Sequence, residues 1–159
     1  MMQRRTCLLA GISALGGLSL GRAAAQPVQG RTAIEVWKTS NCGCCKDWLR
    51  HLEAEGFVVT AHDVRETVKN DYRRRMGLAD KFGSCHTGLV QGYVIEGHVP
   101  ARDIRRLLQA RPVALGLAAP GMPMGSPGMD GPEYGGRRDA YDVLLVQRNG
   151  TSTVFQSYR

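Results

Sequence analysis

Three cysteines occupy four consecutive positions of this sequence, in the stretch Cys42-Gly43-Cys44-Cys45. Cys42 and Cys45 have the C-x-x-C spacing of a redox-active dithiol or of half a metal site. Cys44 fits neither simple interpretation, because a two-electron dithiol does not use a third sulfur between its partners. The stretch therefore raises the question of which chemistry uses three thiols at one point of a chain.

Three methionines, Met122, Met124 and Met129, are spaced along the Gly- and Pro-rich stretch 120–132. Methionine is apolar, so three of them are unexpected in an exposed flexible loop. The loop could fold onto the domain and bury the methionines as packing, or it could supply thioether ligands. Thiolates and thioethers together select Cu(I) over hard cations. Beside a cysteine cluster, the ligand interpretation gains weight.

The hydrophobic pattern predicts the elements that must position these residues. Strands are predicted over 32–39, 57–64 and 89–96 (bent or divided at Gly92), and helices over 45–56, 68–77 and 100–112. Asn149-Gly150 marks the turn of a C-terminal β-hairpin formed by 141–147 and 151–158. The alternating order predicts an α/β, thioredoxin-like domain: a mixed sheet with flanking helices, a Gly/Pro/Met-rich loop and the hairpin.

In such a fold the C-x-x-C lies at the first strand-to-helix junction, where backbone N–H groups and the helix dipole favour thiolates. The loop entering the third strand usually carries a cis-proline and a threonine beside it, and here it reads Ser84-Cys85-His86-Thr87 without a proline. The topology places Cys85 and His86 near the first three cysteines. Beside Cys85, His86 is equally well interpreted as a ligand or as a loop histidine bonded to the backbone. His51, His62 and His98 are interpreted as structural or solvated, His98 with the least support.

The N-terminus predicts export. Arg4-Arg5, an apolar run from Cys7 to Leu20 and Ala23-Ala24-Ala25 have the three parts of a secretory signal peptide over residues 1–25. Removing it leaves a single exported domain over 26–159, with an irregular Met-rich loop over 118–139. The Sec and twin-arginine routes both stay open. Three of the seven net positive charges leave with the peptide, and the remaining basic residues are scattered, so nucleic acid is not an expected partner.

Export leaves four cysteines, at positions 42, 44, 45 and 85, and an even number in an oxidising compartment first suggests disulfides. Two structural bridges are one interpretation, although a bridge between the adjacent Cys44 and Cys45 would be strained. A thiol–disulfide oxidoreductase with Cys42 as nucleophile and Cys45 as resolving thiol is a second. The third is a metal cluster. Adjacent helical cysteines point about 100° apart, which suits thiolates bridging Cu(I) ions better than one tetrahedral Zn²⁺.

Four motifs together, CGCC, SCHT, GYVIEGHVP and PGMPMGSPGM, resemble those of the CopG-like periplasmic copper-resistance proteins, from about Ala33 to Phe155. The resemblance implies a thioredoxin-like fold and a role in copper tolerance, with other periplasmic copper-handling proteins as partners and no membrane insertion after signal cleavage. It implies one or more copper ions, as Cu(I), bound by Cys42, Cys44, Cys45 and Cys85, with His86, Met122, Met124 and Met129 as further candidates. No catalytic residue is assigned, and copper or thiol redox activity stays open.

Overall fold

A seven-stranded mixed sheet carries three helices. The structure is a computed structural model that describes residues 31–159, so the predicted signal peptide lies outside the described residues. The strands are β1 (Ala33–Lys38), β2 (Val58–Asp63), β3 (His86–Val90), β4 (Tyr93–Gly97), β5 (Gly116–Ala119), β6 (Tyr141–Val146) and β7 (Ser152–Tyr158). The helices are α1 (Gly43–Ala54), α2 (Glu66–Arg75) and α3 (Ala101–Ala110), and short 3₁₀ turns span Asp80–Phe82 and Pro132–Tyr134.

The spatial strand order is β2-β1-β3-β4-β5-β6-β7. Two neighbouring pairs are parallel: β1 and β2, connected by α1, and β4 and β5, connected by α3. The other neighbours are antiparallel. Since β1 and β3 run in opposite directions, the end of β1 lies beside the start of β3, with Lys38 opposite His86. The loop after β1 and the loop before β3 therefore meet at the same end of these two strands.

The two faces of the sheet are covered by different helices. Helices α1 and α3 bury Trp48, Leu52 and Ile104 on one face. Helix α2 lies on the other, where Tyr72 stacks on Trp37 of β1 with ring centroids 3.7 Å apart. Because side chains alternate along a strand, β4 sends Ile95 into the first layer and Val94 into the second.

The mixed sheet with flanking helices is as predicted, and the C-terminal hairpin is present as β6 and β7. Helix α1 begins at Gly43, two residues before its predicted start. The segment predicted over 89–96 consists of two strands joined by a tight turn at Gln91-Gly92. Strand β5 was not predicted, because Gly-Leu-Ala-Ala is short, fully buried and poor in β-branched residues. Its last two residues, 118 and 119, belong to the predicted Met-rich loop.

Candidate metal centre

The start of α1 positions the first three cysteines. Cys42 is the N-cap residue, and its Sγ accepts a hydrogen bond of 3.3 Å from the backbone N–H of Cys45. Cys45 is fully buried and belongs to the same helix stripe as Trp48 and Leu52. Cys44 points away from that stripe and is half-buried. Three sulfurs therefore surround one helix end, where unpaired N–H groups favour negative charge.

Two of these cysteines are oxidised. Cys42 and Cys45 form a disulfide, with their Cα atoms 5.3 Å apart. Within residues 31–159, Cys44 and Cys85 are the free thiols. The C-x-x-C pairing is the one that a dithiol interpretation predicts, whereas the two-bridge interpretation also requires a bond between Cys44 and Cys85, which are free thiols in the described residues.

Cys85 completes the group from the opposite loop. Its Sγ lies 3.9 Å from that of Cys44, which in turn lies 3.6 Å from that of Cys42. All four sulfur atoms lie within 4.8 Å of one another. The structure thus brings together the four cysteines that the sequence singled out.

A buried carboxylate holds the loop that carries Cys85. Glu96 is fully buried, and its Oε1 accepts hydrogen bonds from the backbone N–H of Ser84 at 2.6 Å and from its hydroxyl at 2.9 Å. Its Oε2 accepts a third, of 2.6 Å, from the hydroxyl of Thr87. Burial raises the pKa of this carboxyl, and the hydrogen bonds oppose the shift. Residues on both sides of Cys85 and His86 are therefore fixed to β4.

Two imidazoles face Cys85. His86 Nδ1 and His98 Nε2 each lie 3.4 Å from the Sγ of Cys85. The other nitrogen of each ring is bonded to a backbone carbonyl oxygen, Gly97 for His86 at 2.9 Å and Pro127 for His98 at 2.8 Å. A carbonyl only accepts, so that nitrogen carries the hydrogen and a neutral ring turns its lone pair towards the sulfur. Metal-binding histidines are oriented in this way.

Cys85, His86 and His98 form a second group whose donor atoms lie within 4.8 Å of one another. We call the two groups together the cysteine–histidine cluster: Cys42, Cys44, Cys45, Cys85, His86 and His98. Cys85 belongs to both. His98, which the sequence analysis interpreted as structural or solvated with the least support, is buried and lies in this second group.

A signal for His98 was present in the sequence. The turn at Gln91-Gly92 fixes the register of the β3–β4 hairpin, in which Thr87 faces Glu96. Continuing that register outward places His86 opposite Gly97 and Cys85 opposite His98. The contact between Cys85 and His98 therefore follows from the position of the turn. By contrast, His51 does have a structural role, because its Nε2 accepts the backbone N–H of Ala101 at the start of α3.

The pKa values of the two free thiols are shifted in opposite directions. The hydrogen bond from Cys85 is the main cause that lowers the pKa of Cys44 to about 4, against the opposing effect of burial. The bond to Cys44, followed by burial, raises the pKa of Cys85. Burial holds the pKa of His86 well below its usual value, so this ring is neutral at neutral pH. The centre therefore presents one thiolate, one thiol and a neutral imidazole.

The Gly/Pro/Met-rich stretch 120–132, here called the methionine loop, contacts the cluster through its backbone. The carbonyl of Pro127 accepts the hydrogen bond from His98. Gly128 has φ +83°, and a Cβ there would lie 2.7 Å from the carbonyl oxygen of Cys44 and 2.6 Å from the backbone nitrogen of Trp48. Only glycine allows the loop to approach the start of α1 so closely.

The three methionines have different environments. Met129 is 6% exposed, Met124 is half-buried, and Met122 is 49% exposed. Met124 is tied to Asp139, whose carboxylate accepts its backbone N–H at 3.0 Å. Burial of Met129 agrees with the packing interpretation for that residue. The role of the three thioethers as ligands stays a prediction.

The arrangement suits a soft metal ion. Four sulfurs and two imidazoles converge, two carbonyls orient the imidazoles, and a buried carboxylate fixes the Cys85 loop. Thiolate and imidazole donors favour late transition metals over Mg²⁺ or Ca²⁺. The same sulfurs can also exchange disulfides.

Among the described residues, no helix has the length and apolarity needed to span a membrane.

Comparison with known proteins identifies relatives. The family described as "Protein of unknown function, DUF411" matches residues 82–129, which include Cys85, His86, His98 and the methionines. None of the curated proteins matches the chain.

Two solved structures match over most of the chain. Copper resistance protein copG, form 1, is 47% identical with a TM-score of 0.73, and the match covers 80% of this chain and 98% of that one. Form 2 is 46% identical with a TM-score of 0.73, covering 81% and 99%. At this identity and coverage, the chain belongs to the CopG family of copper-resistance proteins.

Proposed function

We propose that this chain binds copper as Cu(I) through the thiolates of Cys42, Cys44, Cys45 and Cys85 and contributes to copper resistance. One observation carries the proposal: four cysteine sulfurs lie within 4.8 Å of one another at a helix N-terminus. The solved relatives that are nearly half identical to the chain are named as copper resistance proteins. That name supports copper as the metal, and the donor set gives the chemical reason.

The donor set favours copper over zinc. A structural zinc site uses four donors in a tetrahedron around one ion. Here Cys85 alone is shared between three other sulfurs and two imidazoles, which is more than one tetrahedron can use. Bridging thiolates suit Cu(I), which is soft and low in charge. We include His86 and His98 as further ligands to one or more copper ions, and Met122, Met124 and Met129 as candidate thioether ligands.

We also propose a more specific fold and a cellular location for this chain. The β1-α1-β2 unit with a C-x-x-C at the start of α1, followed by α2 and the β3-β4-α3 unit, supports a thioredoxin-like domain. We infer that residues 1–25 are a signal peptide and that 26–159 act in the periplasm, beside other copper-handling proteins. The N-terminus of protein recovered from the periplasm tests this, since it should begin near residue 26.

The disulfide sets a condition for copper binding. A disulfide sulfur is a far weaker ligand than a thiolate, because it has no negative charge to donate. The Cys42–Cys45 bond therefore withholds two of the four proposed thiolates. Reduction of this bond releases them, while Glu96 and the two backbone carbonyls keep Cys85 and the imidazoles in place. Copper binding and the redox state of the C-x-x-C are thus coupled.

The test is a chelator competition on the reduced protein lacking residues 1–25. We expect Cu(I) to bind far more tightly than Zn²⁺, and the air-oxidised protein with the Cys42–Cys45 disulfide to bind Cu(I) more weakly than the reduced one. Cu(I) affinity equal to or weaker than zinc affinity would disprove the copper assignment.

The alternative function is a thiol–disulfide oxidoreductase that uses Cys42 and Cys45, and the disulfide at the start of α1 favours it. The variant Cys44→Ser separates the two functions, because it removes one proposed copper ligand and leaves the C-x-x-C intact. We expect weaker copper binding in this variant and an unchanged ability to form the disulfide. Unchanged copper affinity and stoichiometry would favour the oxidoreductase.

A further inference from the structure

We propose that the four cysteines form two redox pairs, Cys42–Cys45 and Cys44–Cys85, and that the disulfide moves between them within one chain. The proposal needs only the four sulfurs. It therefore stands or falls independently of copper binding, and it goes beyond a simple C-x-x-C oxidoreductase, in which Cys44 and Cys85 have no role.

The first step is an attack by Cys44 on the existing disulfide. Its Sγ lies 3.6 Å from the Sγ of Cys42, which is van der Waals contact for two sulfurs. A thiolate attacks a disulfide sulfur and displaces the other one. The new bond joins Cys44 to Cys42, the bond between Cys42 and Cys45 breaks, and the electron pair leaves on Cys45. Cys44 attacks as the thiolate, so it releases no proton, and the negative charge passes to Cys45.

The second step transfers the bond to Cys85. Its Sγ lies 3.9 Å from that of Cys44, so an approach of about 2 Å gives the length of a disulfide bond. Once Cys44 is bonded to Cys42 it no longer holds the proton on Cys85, and that proton passes to the thiolate of Cys45, whose Sγ lies within 4.8 Å. The thiolate of Cys85 attacks Cys44, the bond between Cys44 and Cys42 breaks, and Cys42 leaves as a thiolate. Each state has one disulfide, one thiol and one thiolate. The exchange thus needs no external oxidant or reductant.

The structure supports this order of attack. Cys44 is the sulfur in contact with both Cys42 and Cys85, so it is the natural relay between them. The Cys85 loop is held in place by the bonds from Ser84 to Glu96 and by the Lys69 ammonium, which donates to the carbonyl of Ser84 at 2.6 Å. Of the two cysteines in the first pair, Cys45 is buried and Cys42 is half-buried. When the disulfide moves to Cys44 and Cys85, the more exposed Cys42 becomes free.

Tryptic digestion gives a direct readout. Cys42, Cys44 and Cys45 lie in one predicted peptide, residues 39–46, and Cys85 lies in another, residues 82–102. The Cys42–Cys45 disulfide leaves the two peptides separate, whereas a Cys44–Cys85 disulfide joins them. Metal-free protein with one disulfide per chain is held anaerobically at neutral pH with a chelator, quenched in acid, alkylated, digested and analysed by mass spectrometry.

We expect joined peptides in the wild-type protein, with fragmentation that assigns the link to Cys44 and leaves Cys42 alkylated. Their fraction should not change when the protein is diluted tenfold, because the exchange is intramolecular. In Cys44→Ser and in Cys85→Ser, Cys42 should stay bonded in every chain. Circular dichroism and the unfolding midpoint establish that both variants fold, and Cys44→Ala replaces the serine variant if it does not.

Three results would overturn the proposal. The first is a wild-type protein in which the peptides stay separate and alkylation is confined to Cys44 and Cys85. The second is free Cys42 in Cys44→Ser at the wild-type level, since exchange would then bypass the relay. The third is a joined fraction that falls on dilution, since exchange would then occur between chains.

Discussion

The cysteine–histidine cluster and the methionine loop both offer soft donors, yet the fold treats them differently. The donors of the cluster lie at the ends of regular elements: the first turn of α1, the start of β3 and the end of β4. Hydrogen bonds fix the directions of its imidazoles and of the Cys85 loop. The methionine loop reaches the cluster through a carbonyl and a glycine, while Met122 remains half exposed. Donor type alone therefore does not identify a ligand; the fixed direction does.

The largest effect should come from Cys85→Ser. Cys85 is shared by the four-sulfur group and by the group with His86 and His98. Loss of an outer-shell partner already lowers metal affinity about 10–100-fold, so loss of this sulfur should lower Cu(I) affinity by about a hundredfold or more. Chelator competition on reduced protein measures it. A change of less than about threefold would show that the two groups do not share a ligand.

The next effect concerns Glu96, which positions the Cys85 loop without touching the sulfurs. Glu96→Ala leaves the backbone N–H of Ser84 and the hydroxyl of Thr87 without a partner and removes the carboxylate 3.7 Å from Arg73 Nη1, while the hydroxyl of Ser84 keeps the carbonyl oxygen of His86. We expect the free energy of unfolding to fall by about 2–3 kcal/mol and Cu(I) affinity to fall about tenfold. Glu96→Gln can still accept from Ser84 and should recover most of the copper affinity. Equal copper affinity in Glu96→Ala and the wild type would show that the Cys85 loop keeps its position without Glu96.

A matched pair of glycines tests the contact of the methionine loop. Gly121 and Gly128 have similar φ, +79° and +83°, but a Cβ on Gly121 meets nothing within 4 Å whereas one on Gly128 meets the backbone of α1. Both alanine variants should lose about 1 kcal/mol of stability from the left-handed backbone. Gly128→Ala should lose about 1–3 kcal/mol more from overpacking. Chemical denaturation compares them, and equal losses would mean that the loop lifts away freely.

The smallest effect is expected from Met122→Leu. Leucine keeps the volume and removes the thioether, and the side chain is half exposed. We expect the free energy of unfolding to change by less than about 0.5 kcal/mol and Cu(I) affinity to fall less than about tenfold. A loss of copper affinity as large as that of Cys85→Ser would break the distinction between the two regions.

Much of the fold was accessible from the sequence, because periodic apolar residues and a few turn signals define it. The stripe of Cys45, Trp48 and Leu52 predicted α1, and Asn149-Gly150 predicted the last hairpin. Strand β5 escaped, because Gly-Leu-Ala-Ala has neither alternation nor β-branched residues, and its place depends on a neighbour, β4, that lies far away in sequence.

The site was predictable to the extent that it follows from topology. Cys85 approaches the first three cysteines because the junction between β1 and α1 lies beside the start of β3. The buried carboxylate was not predicted, because an acid in a strand is ordinarily taken as solvent-exposed. Its burial depends on the donors of Ser84 and Thr87 and on the Arg73 guanidinium 3.7 Å away. The C-x-x-C spacing favoured a pairing of Cys42 with Cys45, but the sequence left open whether these thiols form a disulfide or bind a metal.

The two-residue turn at Gln91-Gly92 has a consequence for how the chain can change in length. Loops on a protein surface commonly tolerate insertions, but this turn joins the two strands of the hairpin that brings Cys85 to His98. One added residue that shifts the β3–β4 register would turn every side chain of β4 to the opposite face. Glu96 would then leave the Cys85 loop and His98 would leave Cys85. The length of an exposed turn is thus part of the specification of a buried site at the far end of its strands.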